Sequence, residues 1–533
     1  MDLIDRSATV RENFHQAKWD EPIIFELDTP GERGIRVPEA EPEIRAALGQ
    51  NDLPDALRRK TPPALPEIAQ PRVLRHYMRL SQETLGADVN IEIGQGTCTV
   101  KYSPKINELL ARQPQITALH PLQPEETVQG ILEIFYKTDC FLREFSGLDR
   151  FTFQPGGGSQ GILTMASVVR AYFEEKGEAE QRDEIITTIY SHPSDAAAPA
   201  VKGYKIIHIG PDKDGYPDIE AFKAAVGPKT AGFFVANPED TGVYNPRIRE
   251  FTGLVHAHGG LCGYDQANAN GLLGITRARE AGFDLCFFNL HKSFSTPHGC
   301  GGPACGATGA TTALEPFLPG PLINKADRAG KAWYCFDRSY RQDKRSIGKV
   351  RSWYGVAPVV LKAYAWIMSL GAEGLYEVAK VAVLNNNYLF KKLMEIPCVD
   401  APYIPGRQRV EQVRYTIEKL AADTGVTSGD IQRRMMDFGM HYWTSHHPYH
   451  IPEPITLEPT ETPSKKDLDE YIETLKHVFR EAYETPEVIK TAPHRSVCHQ
   501  VDASPSDDPE RWAVTWRAYL RKTGRGKPGQ SPA

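Results

Sequence analysis

Cysteine is sparse in this sequence, and no two cysteines form a Cys-x-x-Cys pair. Nine cysteines are spread over 533 residues, a density that argues against a disulfide framework and favours free thiols in a reducing compartment. The opening residues, MDLIDR, lack the apolar core of a secretory signal peptide. These features predict a cytoplasmic protein.

The sequence also lacks a strong excess of positive charge and a long apolar run. Its net charge is −6 and its pI is near 6.3, so its overall charge does not favour nucleic-acid binding. The most apolar helical window, residues 356–372, contains Pro358 and Lys362 and is too short to cross a bilayer. We therefore expect a buried helix there, and no nucleic-acid or membrane partner.

The length of the chain exceeds the size at which one hydrophobic core usually stops growing, so we expect several domains. Proline and charge are enriched at the start, which predicts an extended arm and helices over residues 1–120. A large α/β domain is expected over 121–370 and a smaller α+β domain over 371–522. Residues 523–533 are predicted to form a disordered tail.

Apolar segments with the length of strands alternate with helical periodicity in the middle of the chain. This alternation predicts a mostly parallel sheet with helices on both faces, and ligands bind such sheets at the carboxyl ends of the strands. The predicted strands are residues 185–190, 205–209, 231–236, 261–264 and 285–290, and the predicted helices are 162–175, 219–225 and 248–258, with further helices near 73–81, 428–438 and 465–483.

Residues 289–303 read NLHKSFSTPHGCGGP and follow the last of these strands. They place Lys292, flanked by a histidine and hydroxyl groups, in a segment too rich in glycine and proline for helix or strand. A lysine at the mouth of a buried strand can form a Schiff base, and the hydroxyls and backbone N–H groups nearby can hold an anion. Binding of pyridoxal phosphate requires both the Schiff-base amine and the anion site.

Other polar groups follow neighbouring strands in the order that a pyridoxal phosphate site requires. Asp265 is placed to pair with the pyridinium nitrogen, which keeps the ring electron-withdrawing. His192 follows an earlier strand and could stack on the ring. The loop at residues 155–161, PGGGSQG, opens a helix whose N–H groups and dipole attract phosphate.

The lysine segment resembles the cofactor-lysine motif of glycine decarboxylase, the P-protein of the glycine cleavage system. It is most similar to the C-terminal subunit of the two-subunit form, glycine dehydrogenase (decarboxylating) subunit 2. The resemblance spans roughly residues 20–500 and includes GTCTVKYSPK at 96–105, HP at 120–121, EETVQG at 125–130, YDQANAN at 264–270 and LEPTET at 457–462.

The resemblance implies a fold-type-I pyridoxal phosphate enzyme of the aspartate aminotransferase type. Glycine would lose its carboxylate as CO2, and its aminomethyl group would pass to the lipoyl arm of H-protein. A homologous subunit 1 is the implied partner, in a heterotetramer. Lys292 and His192 are the implied catalytic residues, and the implied cofactor-binding residues are Lys292, Asp265, Ala267, His192, His291, Gly157, Gly158, Ser159 and Asn237.

The chain departs from the family pattern at several strand ends. The departures are Gln160, Ile162, Asp195, Glu239, Asp240 and Gln266. Two alternatives therefore stay open: a related enzyme that acts on a different amino acid, by decarboxylation or as a lyase, and a non-catalytic partner subunit. Glu239 and Asp240 would suit a more polar or cationic substrate, although a solvated turn explains them more simply.

A third alternative is a metal protein that uses His446, His447 and His450. Two adjacent histidines separated from the third by proline do not converge easily on one ion, and no carboxylate or cysteine stands at ligand spacing. We therefore expect no metal, and interpret this segment as a loop that contacts substrate or partner.

Overall fold

The computed structural model describes most of the chain. The described residues are 10–47, 54–61, 63–86, 89–95, 101–298, 302–403, 406–442, 450–497, 499–502 and 504–524. The predicted disordered tail lies mainly outside them, as do His446 and His447 of the metal hypothesis. The domain boundaries given above stay a prediction.

Twelve strands are present in the described residues. They are β1 (Gly94–Gln95), β2 (Arg150–Thr152), β3 (Glu184–Thr188), β4 (Lys205–Ile209), β5 (Thr230–Ala236), β6 (Leu261–Gln266), β7 (Leu285–Asn289), β8 (Gly306–Ala310), β9 (Leu322–Arg328), β10 (Lys331–Asp337), β11 (Val413–Thr416) and β12 (Pro454–Glu458).

Fifteen α-helices accompany these strands within the same residues. They are α1 (Pro42–Ala47), α2 (Gln70–Gln82), α3 (Lys105–Ala111), α4 (Pro114–Thr117), α5 (Gln129–Ser146), α6 (Gly158–Glu175), α7 (Ser194–Val201), α8 (Ile219–Ala225), α9 (Ile248–Ala257), α10 (Ala357–Leu393), α11 (Glu418–Thr424), α12 (Ser428–Met436), α13 (Lys465–Glu484), α14 (Pro486–Lys490) and α15 (Trp516–Thr523).

The central sheet has seven strands in the order β2-β8-β7-β6-β5-β3-β4. The strands from β7 to β4 run parallel to one another. Strand β8 pairs antiparallel with β7, and β2 at the edge pairs antiparallel with β8. The predicted mostly parallel α/β fold is therefore confirmed. The predicted strands are also found, although β3 ends at Thr188 and Asp265 lies within β6 rather than after it.

Both faces of this sheet are covered by apolar cores. Alternate side chains of a strand point to opposite faces, and β7 shows this clearly. Cys286 and Phe288 pack into the core that contains α5 and α9, whereas Leu285 and Phe287 pack into the core that contains α6. Such burial on both sides explains why β7 is a continuous apolar run rather than an alternating one.

The chain beyond the central sheet builds a separate core. Strands β1, β12 and β11 form an antiparallel sheet in that order, and α12 and α13 contribute to its core. Helix α10 leads into this region, and its helical path is interrupted at Gly371, where φ is 64°. The segment predicted to be a buried helix begins α10. Within the described residues, no helix combines the length and the apolar character that crossing a membrane requires.

A buried carboxylate ties α5 to the edge of the central sheet. Asp139 on α5 accepts hydrogen bonds from the Arg143 guanidinium at 2.6 Å, the Arg150 guanidinium at 3.1 Å and the Phe151 backbone N–H at 2.8 Å. Asp139 and Arg150 are both buried. Asp139 is the nearest carboxylate to the buried Arg150 charge, and the half-exposed Glu315 lies farther away at 3.8 Å, so loss of Asp139 leaves that charge poorly compensated.

We expect Asp139→Ala to destabilise the fold strongly, by about 3–5 kcal/mol, because it leaves the Arg150 charge buried without its carboxylate. Glu133→Ala on the same helix is the control, since Glu133 forms a half-exposed pair with Lys137 and such a pair contributes about 1 kcal/mol or less. Thermal and denaturant unfolding of both variants would measure the difference. Equal losses of stability would contradict the assigned role of Asp139.

Candidate active site

The carboxyl ends of β6 and β7 bring Asp265 and Lys292 into one cleft. In the parallel register Asp265 lies opposite Phe287 of β7, and the chain turns after Asn289 so that Lys292 follows on the same edge. Both side chains are buried. The residues that line the cleft are His192, Ala236, Asn237, Pro238, Asp240, Asp265, Ala267, Asn268, Lys292, Glu411 and Gln412.

Asp265 shares its surroundings with a second buried carboxyl group, Asp195 on α7. Burial raises the pKa of Asp195 well above its ordinary value, and the neighbouring Asp265 raises it further. Burial also raises the pKa of Asp265, but His192, the backbone N–H of Ala267 and the Lys292 ammonium all lower it. We conclude that Asp195 holds the proton and Asp265 is the ionised partner.

The His192 ring is positioned by the loop that begins α7. The Ser194 backbone N–H donates to His192 Nδ1 at 3.1 Å. The Ser194 hydroxyl also lies 2.7 Å from the Ser159 hydroxyl at the start of α6. This pair of hydroxyls connects the ring of His192 to the segment predicted to hold phosphate.

The start of α6 packs against the end of β7 so closely that side chains are excluded. A Cβ on Gly158 would lie 2.9 Å from Asn289 Nδ2, and one on Gly161 would lie 2.9 Å from the Phe287 ring. The backbone N–H groups that open a helix are therefore held near Lys292, as phosphate binding at a helix N-terminus requires. Gly157 and Gly158 are half-buried and Ser159 is exposed, so this segment lies beside the cleft rather than among its lining residues.

Two of the predicted residues make contacts of a different kind. His291 is buried, and its Nδ1 accepts a hydrogen bond from the Cys305 backbone N–H at 3.2 Å. Burial lowers its pKa to about 3, so the ring is neutral and faces Cys305. Asn237 lines the cleft, but its amide is engaged with the Asn245 backbone at 2.8 and 3.1 Å. Contact of either residue with the cofactor stays a prediction.

The interpretation of Glu239 and Asp240 as a solvated turn is wrong. Both side chains are buried, Asp240 against the second core region and Glu239 beside Thr188 of the central sheet. Asp240 accepts hydrogen bonds from the Arg414 guanidinium at 2.8 Å and from the Gln412 side-chain amide at 3.1 Å. Glu239 accepts a hydrogen bond from the Thr188 hydroxyl.

The remaining departures from the family pattern have separate structural settings. Gln160 accepts a hydrogen bond from the Gly156 backbone N–H at 2.6 Å and so folds back over the glycine loop. Ile162 is fully buried in the core beneath α6. Gln266 is buried at the end of β6. Of these, only Gln160 belongs to the surface of the glycine loop.

Sequence reasoning missed Glu411 and Gln412, which reach the cleft from the second core region. Their segment, RVEQVR at 409–414, carries no glycine-rich or metal-ligand pattern. It is placed against the cleft by β11 and by the ion pair of Arg414 with Asp240. No signal in one sequence could have assigned these residues to the site, because the contact joins positions far apart in the chain.

The family motifs quoted above meet around Lys292. The Lys101 ammonium lies 2.5 Å from a Glu461 oxygen, and the Tyr102 backbone N–H donates to the Thr462 hydroxyl at 3.0 Å. The Ala269 backbone N–H donates to the Ser293 hydroxyl at 2.7 Å. Lys101 is therefore a buried structural cation rather than a ligand-reaching lysine, whereas residues 96–100 of that loop lie outside the described part.

A metal site finds little support among the residues that the structure describes. His256, Cys262 and Asp284 stand close enough to share an ion. The Asp284 carboxylate, however, already accepts hydrogen bonds from the His256 ring at 2.8 Å and from the Cys262 backbone N–H at 2.8 Å. These contacts account for the cluster as a brace between α9 and β6.

The residues present fit pyridoxal phosphate. Lys292 is buried in the cleft, and its charge acts on the nearby Asp265 and Glu411 carboxyl groups. The carboxyl of Asp265 and the ring of His192 line the cleft, and the glycine-rich start of α6 lies beside it. An amine, a carboxylate, a flat ring and a helix N-terminus are the groups that this cofactor requires.

Comparison with known proteins decides the family. A family model described as "Glycine dehydrogenase, C-terminal domain" matches residues 378–499, and "Aminotransferase class-V" matches residues 153–342. The "Probable glycine dehydrogenase (decarboxylating) subunit 2" of Pyrococcus furiosus is 40% identical over 96% of this chain and 99% of its own length. The chain belongs to the glycine dehydrogenase (decarboxylating) subunit 2 family.

Other relatives and solved structures agree with this assignment. The subunit 2 protein of Thermococcus kodakarensis is 41% identical over 96% of the chain and 99% of its own length. A crystal structure of glycine decarboxylase (P-protein) of the glycine cleavage system, in inhibitor-bound form, aligns with a TM-score of 0.70 at 22% identity. It covers 83% of this chain and 100% of its own, which shows that the subunit 2 family shares its fold.

The buried Glu239 predicts a measurable dependence of stability on pH. Burial raises the pKa of Glu239 from its ordinary value of 4.5 to about 8. The nearby Asp240 raises this pKa further, and the hydrogen bond from the Thr188 hydroxyl lowers it. The folded chain thus keeps a proton that the unfolded chain has released, and stability falls as pH rises from 4.5 towards 8. We expect Glu239→Gln to remove this loss, by at most about 1.4 kcal/mol per pH unit.

Thermal unfolding of the parent and of Glu239→Gln between pH 5 and pH 8 would test this expectation. The difference in stability should grow across that window in favour of the variant. Glu220→Gln on α8 removes one exposed carboxylate and serves as the control. Parallel curves for the parent and Glu239→Gln would refute the assignment.

Proposed function

We propose that this chain is the pyridoxal-phosphate-bearing subunit of a glycine decarboxylase in the glycine cleavage system. Glycine is its substrate, and its carboxylate leaves as CO2. One observation carries the proposal: the buried Lys292 and Asp265 share a cleft in a chain that is 40% identical to a glycine dehydrogenase subunit 2 over nearly its whole length.

Lys292 supplies the amine that holds the cofactor covalently. Bound pyridoxal phosphate supplies an electron-withdrawing ring that accepts the electron pair released when CO2 departs. With the cofactor bound, Lys292 would be freed when glycine takes its place, and it would remain in the cleft as a primary amine that can carry a proton. Burial of Lys292 keeps bulk water away from this proton transfer.

Asp265, Asp195 and His192 set the electronic state of the ring in this proposal. The Asp265 carboxylate keeps the pyridine nitrogen protonated, and Asp195 remains neutral beside it so that the buried pair carries one negative charge. His192, fixed by the Ser194 N–H, lies against the ring. The Gly157, Gly158 and Ser159 segment binds the phosphate through backbone N–H groups.

The aminomethyl group that remains after loss of CO2 is passed to the lipoyl arm of H-protein. The lipoyl arm would have to reach the cleft from outside, and Lys292 would then be the residue that holds the cofactor again. Asp240, Glu411 and Gln412 line the cleft from the side of the second core region. They shield the reacting carbon from water between the two halves of the reaction.

We also propose that the chain acts with a homologous subunit 1, in the cytoplasm. Exposed apolar side chains support this pairing, because large exposed apolar surfaces mark protein interfaces. On α3, Ile106 is 55% exposed and Leu109 is 56% exposed, and on the neighbouring α10 Met368 is 57% exposed. The two helices are joined by the Lys362–Glu108 ion pair at 2.9 Å.

The described cysteines are free thiols, as expected in a reducing compartment.

The alternatives considered from the sequence are less well supported. A non-catalytic partner subunit has no need of an amine and an aspartate buried in one cleft. A different amino acid as substrate was suggested by Glu239 and Asp240, but these acids are engaged by Thr188 and Arg414. Glu239 is protonated at neutral pH and the Asp240 charge is paired with Arg414, so neither carboxyl group offers a free negative charge to a cationic substrate.

The decisive experiment identifies the cofactor lysine and its reaction together. Borohydride reduction of the holo-protein should fix a pyridoxyl group on the peptide that contains Lys292. Addition of glycine, lipoylated H-protein and subunit 1 should release CO2. Lys292→Ala should abolish the label and lower the rate of CO2 release at least about 1,000-fold. A label on another lysine, or a response to other amino acids but not to glycine, would overturn the proposal.

The apolar side chains of α3 predict where the partner subunit docks. We expect Ile106→Asp with Leu109→Asp to weaken assembly with subunit 1 at least about tenfold, since a charge in an apolar interface is costly. The visible band of the bound cofactor should remain. Val201→Asp, at an exposed apolar position on α7, is the control. Light scattering of the mixed subunits gives the readout, and unchanged assembly would place the interface elsewhere.

A further inference from the structure

Glu411 stands in a strained backbone conformation at the edge of the cleft. Its φ is 68°, in the left-handed region that residues with side chains rarely adopt. The Gln412 backbone N–H donates to the Val410 carbonyl at 2.8 Å, so Glu411 is the central residue of a γ-turn of the rarer, strained kind. Strain of this sort persists where the surrounding structure enforces it, often at functional sites.

Contacts with the central domain hold Glu411 in this backbone conformation. The Val410 backbone N–H donates to the Gly242 carbonyl at 2.9 Å. A Cβ on Gly242 would lie 1.7 Å from the Gln412 carbonyl oxygen, so the turn presses directly on a glycine backbone. The backbone N–H of Gly271 also donates to the Glu411 carboxyl. The chain thus holds this side chain at a defined place from both sides.

The carboxyl group of Glu411 is buried without full compensation. The residue is 4% exposed, it lines the cleft with Lys292, and its Oε1 has no hydrogen-bond partner among the described residues. A buried polar oxygen without a partner is costly, and such groups are rare unless a ligand satisfies them.

The other polar groups of the cleft leave few donors for a substrate carboxylate. The amide of Asn237 is bonded to Asn245, that of Asn268 to Glu458, and that of Gln412 to Asp240. The Arg414 guanidinium nearby donates to Asp240 at 2.8 Å. Lys292, once glycine has taken its place on the cofactor, is assigned to proton transfer in the proposed function.

We propose that the Glu411 carboxyl donates a hydrogen bond to the carboxylate of the amino-acid substrate and orients it for loss of CO2. This inference rests on the proposed function and adds a substrate-contacting residue to it. Glu411 acts here as a binding residue and takes no part in proton transfer.

The protonation state of Glu411 agrees with a donor role. Burial raises its pKa well above the ordinary value and Glu458 raises it further, against lowering by the Gly271 N–H and the Lys292 ammonium. A neutral carboxyl group can donate a hydrogen bond. It also orients the substrate carboxylate without the strong ground-state stabilisation that an arginine would provide, and only stabilisation absent from the ground state accelerates loss of CO2.

A comparison of glycine with methylamine tests the proposal, because methylamine has the reacting amine but no carboxylate. The change in the cofactor's visible absorbance gives the dissociation constant of each amine for the holo-enzyme assembled with subunit 1. Glu411→Met should weaken the binding of glycine about tenfold or more, as expected for loss of a hydrogen bond to a charged group. The dissociation constant of methylamine should stay within about twofold of the parent value. Glu411→Gln keeps a donor and should restore most of the preference for glycine.

Each other result counts against the assignment. An unchanged glycine-to-methylamine ratio in Glu411→Met, equal weakening of both amines, or a Glu411→Gln variant as impaired as Glu411→Met would overturn it. If Glu411→Met does not bind the cofactor, Glu411→Ser replaces it, since serine is too short to reach the carboxylate. A parent enzyme that responds to methylamine but not to glycine would instead refute the proposed function.

Discussion

The structure depends on keeping a lysine and several carboxylates together where water is largely absent. Charges buried in a protein interior persist only when opposite charges or hydrogen bonds compensate them. Lys292, Asp265 and Asp195 meet this condition at the carboxyl ends of β6 and β7 and the start of α7. The parallel sheet brings these side chains together, because the carboxyl ends of neighbouring parallel strands lie at the same edge. The two carboxyl groups share one proton, so the cleft carries one fewer negative charge than its residue types suggest.

The same edge explains why glycines are needed at the start of α6. A helix N-terminus can reach an anion near Lys292 only if the helix lies against β7, and the contacts of Gly158 and Gly161 with Asn289 and Phe287 leave no room for a Cβ. The sequence pattern therefore has two causes at this point. Glycine lets α6 pack against the sheet, and in the proposed function it also leaves the backbone N–H groups open to a phosphate.

Much of the central domain could be predicted from the sequence, because its signals are local. Strand β7 is a largely apolar, fully buried segment, and β4 and the helix from Ile219 to Ala225 were predicted with the observed bounds. Lys292 and Asp265 follow from their places at strand ends. The polar cover of the cleft could not be predicted, because Asp240 and Arg414 are far apart in the chain and their pairing appears only when the second core region folds back. The apparent turn at Glu239 was misjudged for the same reason: burial there is imposed by distant residues.

The position of Glu411 shows how the second core region contributes to the chemistry. Arg414 on β11 neutralises Asp240, and this ion pair fixes the strand that carries the strained turn. The turn places an acid, rather than a base such as arginine, beside the lysine. For an enzyme that must release CO2, an environment that leaves the substrate carboxylate poorly neutralised favours the uncharged product over the bound substrate. The acidic character of this cleft is therefore consistent with decarboxylation, whereas retention of the carboxylate would favour a fixed cation at the same place.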